Sequence, residues 1–241
     1  MVGLGTIINC AAIVAGGVLG LLFGRFLKEE LQNALTIACG VSTLFIGLSG
    51  AMEGMLTVTA EGLESGGAML VVGCLTLGTL LGELLRIEDL FERFGRWLKL
   101  KTGSAGDNSF VDAFVTASLT VCIGDMAIVG AIEDGLRGDY SILAAKAVLD
   151  LIIIMVMTCA MGKGCVFSAV PVGLLQGGVT ALAGLLRPFI TEAAMANLSL
   201  VGSVLIFCVG VNLVWGKKVR VAKMLPAVVL AAAAAFLPVA L

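Results

Sequence analysis

Long apolar runs separated by short polar segments occupy almost the whole chain. Each run approaches the length of about 20 residues that a helix needs to cross the hydrocarbon core of a bilayer. We predict one transmembrane helix in each of eight runs, at residues 5–27, 33–52, 67–85, 110–132, 141–161, 165–186, 196–215 and 223–241. The pattern therefore predicts an all-α, polytopic membrane protein whose single transmembrane domain covers residues 1–241.

Basic residues support this count, because positive charge collects in the cytoplasmic loops of membrane proteins. If the amino terminus is outside, the inner segments carry 12 of the 15 Lys and Arg residues, and the outer loops are mainly acidic. The first run has no basic segment before it, which favours a retained span over a cleaved signal peptide. We therefore expect both termini outside.

An amphipathic segment follows the third span. In residues 87–101, apolar side chains recur every three or four positions, and Arg93, Arg96 and Lys99 occupy the other face. This spacing predicts a helix that lies flat on the inner membrane surface. The alternative interpretation is a regulatory docking site.

A degenerate repeat divides the chain. The segment that begins at Gly16-Gly17 is followed five spans later by a similar segment that begins at Gly177-Gly178. Because the offset is an odd number of spans, the two copies have opposite orientations in the membrane. Inverted repeats are typical of secondary transporters, whose substrates bind near the midplane at the repeat interface. We predict a first repeat at 1–101 (spans 1–3 and the amphipathic helix), a central hairpin at 109–161, and a second, inverted repeat at 165–241 (spans 6–8).

The paired glycines have two interpretations. Small residues at four-residue spacing let helix backbones approach closely, and such ladders are formed by Gly16, Gly20 and Gly24 and by Gly173, Gly177 and Ala181. The pairs Gly16-Gly17 and Gly177-Gly178 are then packing positions. Alternatively, the pairs loosen each helix near midplane, where broken helices bind ions or substrates through their backbone. The same small-residue ladders make a homodimer conceivable.

The central hairpin contains charges at membrane depth. Lys146 and Asp150 are four residues apart and pair on one helix face, either as a structural clasp or as functional groups. Asp125 has no partner nearby in sequence, so it is protonated, paired across helices or exposed to water. Asn9 in the first span is a candidate pathway or interhelix hydrogen-bonding residue.

Composition excludes several classes of function. The chain is 59% hydrophobic and 13% charged with a net charge of −2, which does not suggest nucleic-acid binding. It contains no His and no P-loop motif, and its seven cysteines are spaced singly within or beside apolar runs. We expect no cofactor, no metal site and no catalytic residues; an intramembrane aspartyl protease is the least favoured interpretation.

Three segments resemble a known family. They are the runs 131–150, Gly5-Thr-Ile-Ile-Asn9 and Gly16-Gly-Val-Leu-Gly20, and the likeness extends from the first span to the last. The chain resembles the bacterial membrane proteins grouped as domain of unknown function 554. The positions that match are Asn9, Gly135, Asp139, Ser141, Lys146 and Asp150, whereas Asp125 stands where a small residue is expected. The resemblance implies a bacterial inner-membrane protein, of a kind often described as a transporter, without an established substrate.

Two functional hypotheses follow. The first is secondary transport, or facilitated movement, of a small solute or ion. Its substrate would bind at midplane between the first and sixth spans, with Lys146 holding an anionic group and Asp150 a cation or proton. The second is a non-transporting membrane assembly protein, with glycine ladders for partner helices and the amphipathic helix as a docking surface.

Overall fold

The computed structural model describes residues 2–60, 62–104, 106–189 and 191–236, without the side chains of Asp125 and Phe189. Twelve α-helices are present in these residues, together with one small β-hairpin and two 3-10 turns (Lys163–Ser168 and Arg187–Phe189). In chain order the elements are α1 Leu4–Gly24, α2 Glu29–Met55, β1 Leu56–Thr59, β2 Gly62–Ser65, α3 Ala68–Leu84, α4 Ile87–Lys101, α5 Phe110–Cys122, α6 Asp125–Arg137, α7 Ser141–Met161, α8 Ala169–Ala181, α9 Ala183–Leu186, α10 Glu192–Trp215, α11 Val221–Met224 and α12 Pro226–Ala234.

The protein is a polytopic helical membrane protein, as predicted. Five helical segments in the described residues are long and apolar enough to cross a membrane, and up to seven if each bent helix pair is one span. The predicted bounds of the fifth span and of the amphipathic helix coincide with α7 and α4. Eight spans remain a prediction, because the last apolar helix, Val221–Ala234, is short and residues 237–241 of that predicted span lie outside the description.

The run at 110–132, predicted as one transmembrane helix, is divided between two helices. Helix α5 ends at Cys122 and α6 begins at Asp125, and the two helices are bent by 61°. Between them, Gly124 has φ 148° and ψ 150°, a conformation that is essentially restricted to glycine. The apolar pattern continues across this break, so the pattern alone does not reveal it.

Glycines bring α1 and α7 together as parallel helices. Gly16, Gly20 and Gly24 lie against the backbones of Leu151, Met155 and Cys159, a constant offset of 135 residues (151 − 16, 155 − 20 and 159 − 24). A Cβ atom added to Gly20 would lie 2.5 Å from the Met155 carbonyl oxygen, which is too close for two nonbonded atoms. This ladder therefore serves backbone packing.

The helix-loosening interpretation of the glycine pairs is wrong. Helix α1 continues through Gly16 and Gly17, and α8 continues through Gly177 and Gly178. Gly17 packs against the Val166 side chain, whereas an added Cβ on Gly177 or Gly178 would meet no atom within 4 Å. The first pair is thus a packing device, and the second pair faces open space.

Helices α2 and α10 pack antiparallel along a second line of glycines. Gly40 contacts Leu213 and Val214, Gly47 contacts Phe207, and Gly54 contacts Leu200. Helix α3 packs antiparallel on α11 and α12 in the same way, with Gly78 against Ala227 and Gly82 against Lys223. These close contacts build the frame around the site described below.

The segments that carry most of the basic residues meet at one end of the bundle, which we call the basic end. Gly24 adjoins Cys159 there, and Gly164 adjoins Phe110. Glu88 of α4 is 8% exposed and lies 3.1 Å from Lys217 Nζ and 3.8 Å from Lys223 Nζ. This carboxylate fastens α4 to the loop after α10.

Glu88→Ala is expected to release α4 from the bundle. It removes the close contact of Glu88 with Lys217 and its longer ion pair with Lys223, which keeps its hydrogen bond to Glu83. A hydrogen bond to a charged group typically contributes about 1.5–3 kcal/mol. Trypsin should then cleave faster at the basic residues of α4, and the melting temperature in detergent should fall. Asp89→Ala is the matched control, because Asp89 is the exposed neighbour of Glu88. Equal cleavage of both variants would contradict the fastening role.

Candidate functional site

Lys146 and Asp150 form a buried ion pair on α7. The ammonium Nζ donates to both carboxylate oxygens, at 2.7 Å to Oδ1 and 2.6 Å to Oδ2. Their side chains are only 9% and 4% exposed. The four-residue spacing predicts this contact, and the interior position makes each charge dependent on the other.

Two side-chain amides extend the ion pair to α1 and α8. Asn9 Nδ2 donates to Asp150 Oδ2 at 3.0 Å and to Gln176 Oε1 at 3.3 Å. Asn9 and Gln176 are fully buried. The predicted site residues Asn9, Lys146 and Asp150 are therefore joined directly, and Asn9 does form the interhelix hydrogen bond considered for it.

A cavity of about 590 Å³, which we call the central cavity, is lined by Lys146 and Asp150 but not by Asn9 or Gln176, so it lies on the other side of the ion pair from the two amides. It is lined by α2, α7, α10 and the break between α5 and α6. Its polar lining comprises Ser49, Glu53, Thr120, Lys146, Asp150, Ser199 and Ser203. A few polar groups in an otherwise apolar lining are typical of small-ligand sites, which have volumes of roughly 300–1,000 Å³.

The helix break forms part of the cavity wall. Ile123, Gly124 and Met126 line it, so the end of α5 and the start of α6 face the same space as the ion pair. Helix ends carry backbone groups without intrahelical partners, together with the partial charges of the helix dipole. Asp125 begins α6, and its side chain lies outside the description.

The predicted glycines lie away from this cavity. Gly16 and Gly17 pack α1 against α7 and Val166, and Gly177 and Gly178 face open space. Among the described cavity residues, the lining comes from the second, fourth, fifth and seventh predicted spans. The sequence-based location between the first and sixth spans instead holds the Asn9–Gln176 contact.

Gln176 and Asp134 are among the buried polar residues that sequence reasoning missed. Gln176 is a single amide within an apolar run, a signal of the same kind that singled out Asn9. Asp134, interpreted as part of an acidic outer loop, is fully buried and accepts hydrogen bonds from the backbone N–H groups of Gly3 (3.2 Å) and Gly5 (3.0 Å). Asp134 thus anchors the start of α1 to α6.

A second cavity, of about 310 Å³, opens at the basic end. Its wall includes Thr116 and Leu119 of α5, each one turn or less from the central-cavity residues Thr120 and Ile123. Between the two cavities, Leu119, Leu205 and Val209 form part of a packed apolar cluster. No group of three or more Cys, Asp or Glu side chains that could hold a metal ion occurs among the described residues.

Comparison with known proteins places the chain in a family. Residues 4–236 match the model of a protein of unknown function (DUF554). The chain is 30% identical to "Uncharacterized protein YqgA" of Escherichia coli (strain K12), over 95% of this chain and 94% of that protein. It is 26% identical to "Uncharacterized membrane protein YdfK" of Bacillus subtilis (strain 168), over 94% and 93% respectively. No solved structure matches it. The chain therefore belongs to the DUF554 family.

Proposed function

We propose that the protein is a secondary transporter or facilitator of a small polar solute or ion. The observation that carries the proposal is the central cavity, in which a buried ion pair and a broken helix face the same space of about 590 Å³. Charged side chains within membrane spans are costly and usually mark a substrate or ion pathway. Discontinuous helices form such sites in known transporters.

The residues suggest how a solute would be held. Lys146 would bind an anionic group and Asp150 a cation or proton, while serine hydroxyls of α2 and α10 complete the polar lining. A solute that competes for either partner would loosen the ion pair. The partner that loses its contact would then be a buried charge without a counter-charge. This would favour rearrangement of the helices around the pair.

In an alternating-access mechanism, the central cavity would open to one side of the membrane and then, through the second cavity, to the other side. The apolar cluster that contains Leu119, Leu205 and Val209 would act as the barrier between the central cavity and the basic end. We place the basic end in the cytoplasm of a bacterial cell, with both termini outside. The antiparallel contacts of α1 with α8, α2 with α10 and α3 with α12 support the inverted repeat, because each helix packs on its proposed counterpart.

Filling the cavity should abolish transport. Ser49→Phe places an aromatic ring in the cavity, and Ser42→Phe, two turns away on the same exposed side of α2, is the matched control. Proteoliposomes with an internal pH dye, screened with cations, amino acids and organic acids, should show a solute-dependent signal for wild type and Ser42→Phe only.

Two results would contradict the proposal. Transport that survives Ser49→Phe would remove the cavity from the pathway. Silence of the folded wild-type protein across the screen and in isotope-exchange assays of the same solutes would favour the assembly hypothesis. In that case, changes on the outer face of α4 should impair function while the central charges tolerate substitution.

A further inference from the structure

Four buried polar atoms lie along the contact between α1 and α8 without a hydrogen-bond partner among the described residues. They are Thr6 Oγ1, Asn9 Oδ1, Gln176 Nε2 and Thr180 Oγ1. Each residue is at most 7% exposed. An unpaired buried polar group costs about 1–3 kcal/mol, so four in one place require an explanation.

The four atoms belong to one line, which we call the α1–α8 seam. Asn9 contacts Gln176, Cys10 contacts Gly173, and Gly17 contacts Val166, so the two segments run antiparallel. Thr6 is one turn before Asn9, and Thr180 is one turn after Gln176. Antiparallel packing therefore places the two threonines together, one layer away from the two amides.

Carboxylates lie at both ends of the seam. Asn9 donates to Asp150 at one end. At the other end, Gly5 adjoins Thr6 in sequence and donates to Asp134, while Gly135 lies close to the Thr180 carbonyl. The seam thus leads from the buried Asp134, beside the amino end of α1, to the ion pair in the interior.

The unpaired atoms match water better than a metal cation. The Asp150 carboxylate fixes the orientation of the Asn9 side-chain amide, because it accepts a hydrogen bond from Asn9 Nδ2. Exchanging the amide nitrogen and oxygen would place Asn9 Oδ1 against the carboxylate. The seam then offers one carbonyl acceptor, one amide donor and two hydroxyls that adapt to either role. A cation would be repelled by the Gln176 N–H groups, whereas water both donates and accepts.

We propose that the α1–α8 seam holds a file of water molecules that carries protons to Asp150. This inference rests on the proposed function, in which it makes the proton the coupling ion. In the transfer step, a hydronium of the file gives its proton to Asp150 Oδ2 and remains as water. Asp150 becomes neutral and Lys146 keeps its ammonium charge, so the pair changes from zero to one positive charge and its attraction weakens.

The groups around Asp150 are defined for the described residues. Lys146 faces it on α7, the thiols of Cys10 on α1 and Cys122 on α5 interact with it electrostatically, and Glu53 of α2 lines the same cavity. Helices α8 and α10 contribute only neutral groups, Gln176, Ser199 and Ser203. Lys146 is the partner that responds to protonation most directly.

Time-resolved infrared spectroscopy after an acid jump tests the route without any solute. The protonated carboxyl band of Asp150 is assigned by its loss in Asp150→Asn, in the full chain in liposomes. Thr180→Val and Gln176→Leu should each slow its appearance roughly tenfold, equivalent to about 1.4 kcal/mol on the barrier. Ser42→Phe, outside both the seam and the cavity, is the control and should leave the rate unchanged. Ser49→Phe, which fills the cavity, tests whether protons arrive by that route instead.

The outcomes separate this inference from the proposed function. Unchanged rates in folded Thr180→Val, or slowing by Ser49→Phe alone, would show that protons arrive through the cavity. A band that never forms, or one suppressed by sodium ions, would also overturn the water file. Because no solute is present, the file can be confirmed in a protein that transports nothing in the solute screen, and refuted in one that transports.

Discussion

Removing either charge of the Lys146–Asp150 pair is expected to destabilise the protein by about 3–5 kcal/mol, because the remaining charge is left buried without its partner. Lys146→Met and Asp150→Leu should each lower the melting temperature in detergent. The double variant should recover most of this loss, since apolar residues of similar volume often replace a buried ion pair without cost. The i,i+4 pair Glu133–Arg137 is the control: its Arg137 side chain is 73% exposed, so Arg137→Gln should cost less than about 1 kcal/mol.

Transport by the double variant decides between the two interpretations of the pair. If the pair only clasps the fold, the stable Lys146→Met/Asp150→Leu protein should transport as wild type does. If the pair binds solute or proton, the double variant should fold and yet move nothing. We expect the second result, because both residues line the central cavity. The measurement is solute flux in proteoliposomes at matched amounts of folded protein.

Gly16→Ala and Gly177→Ala are expected to change stability in opposite directions. A Cβ atom on Gly16 would collide with the Leu151 backbone, and backbone in a packed helix cannot move aside cheaply. Such overpacking typically costs about 1–3 kcal/mol. The same substitution at Gly177 meets no atom within 4 Å and replaces a helical glycine, which should stabilise the helix by about 0.5–1 kcal/mol.

Thermal unfolding of the two glycine variants in detergent checks this contrast. The residues hold corresponding places in the predicted repeat, so the comparison controls for residue type and helix position. Equal destabilisation of both would mean that Gly177 is covered by another chain, as a homodimer through α8 would require. Equal tolerance would contradict the close contact between α1 and α7.

Much of the fold is predictable because bilayer physics leaves few alternatives. The bounds of α7 follow from an apolar run between Asp139, whose carboxylate accepts from the Ser141 N–H, and Gly162, where the helix ends. Those of α4 follow from its amphipathic period. The ion pair on α7 follows from spacing alone. The break at Gly124 does not, because the apolar run extends beyond it on both sides, interrupted there only by Asp125, and glycine is ordinary in membrane helices.

The remainder of the site depends on which helices are neighbours. Gln176 and Thr180 acquire significance only when α8 packs antiparallel on α1, and no local pattern specifies that contact. Asp134 looks like a loop residue until α6 brings it to the start of α1. The central cavity likewise requires α2 and α10 to pair, which their glycines permit but do not dictate.

The pairing of α2 with α10 has a mechanical consequence. Gly40, Gly47 and Gly54 recur every seven residues, and each contacts α10 in one fixed register. Sliding either helix by one turn would place a larger side chain, such as Leu44, where a glycine now admits the opposing backbone. Translation along the axis is therefore blocked, while rotation about the contact line is not. An opening of the cavity that they wall must therefore come from rotation about this contact line or from movement of both helices together, and not from sliding of one helix along the other.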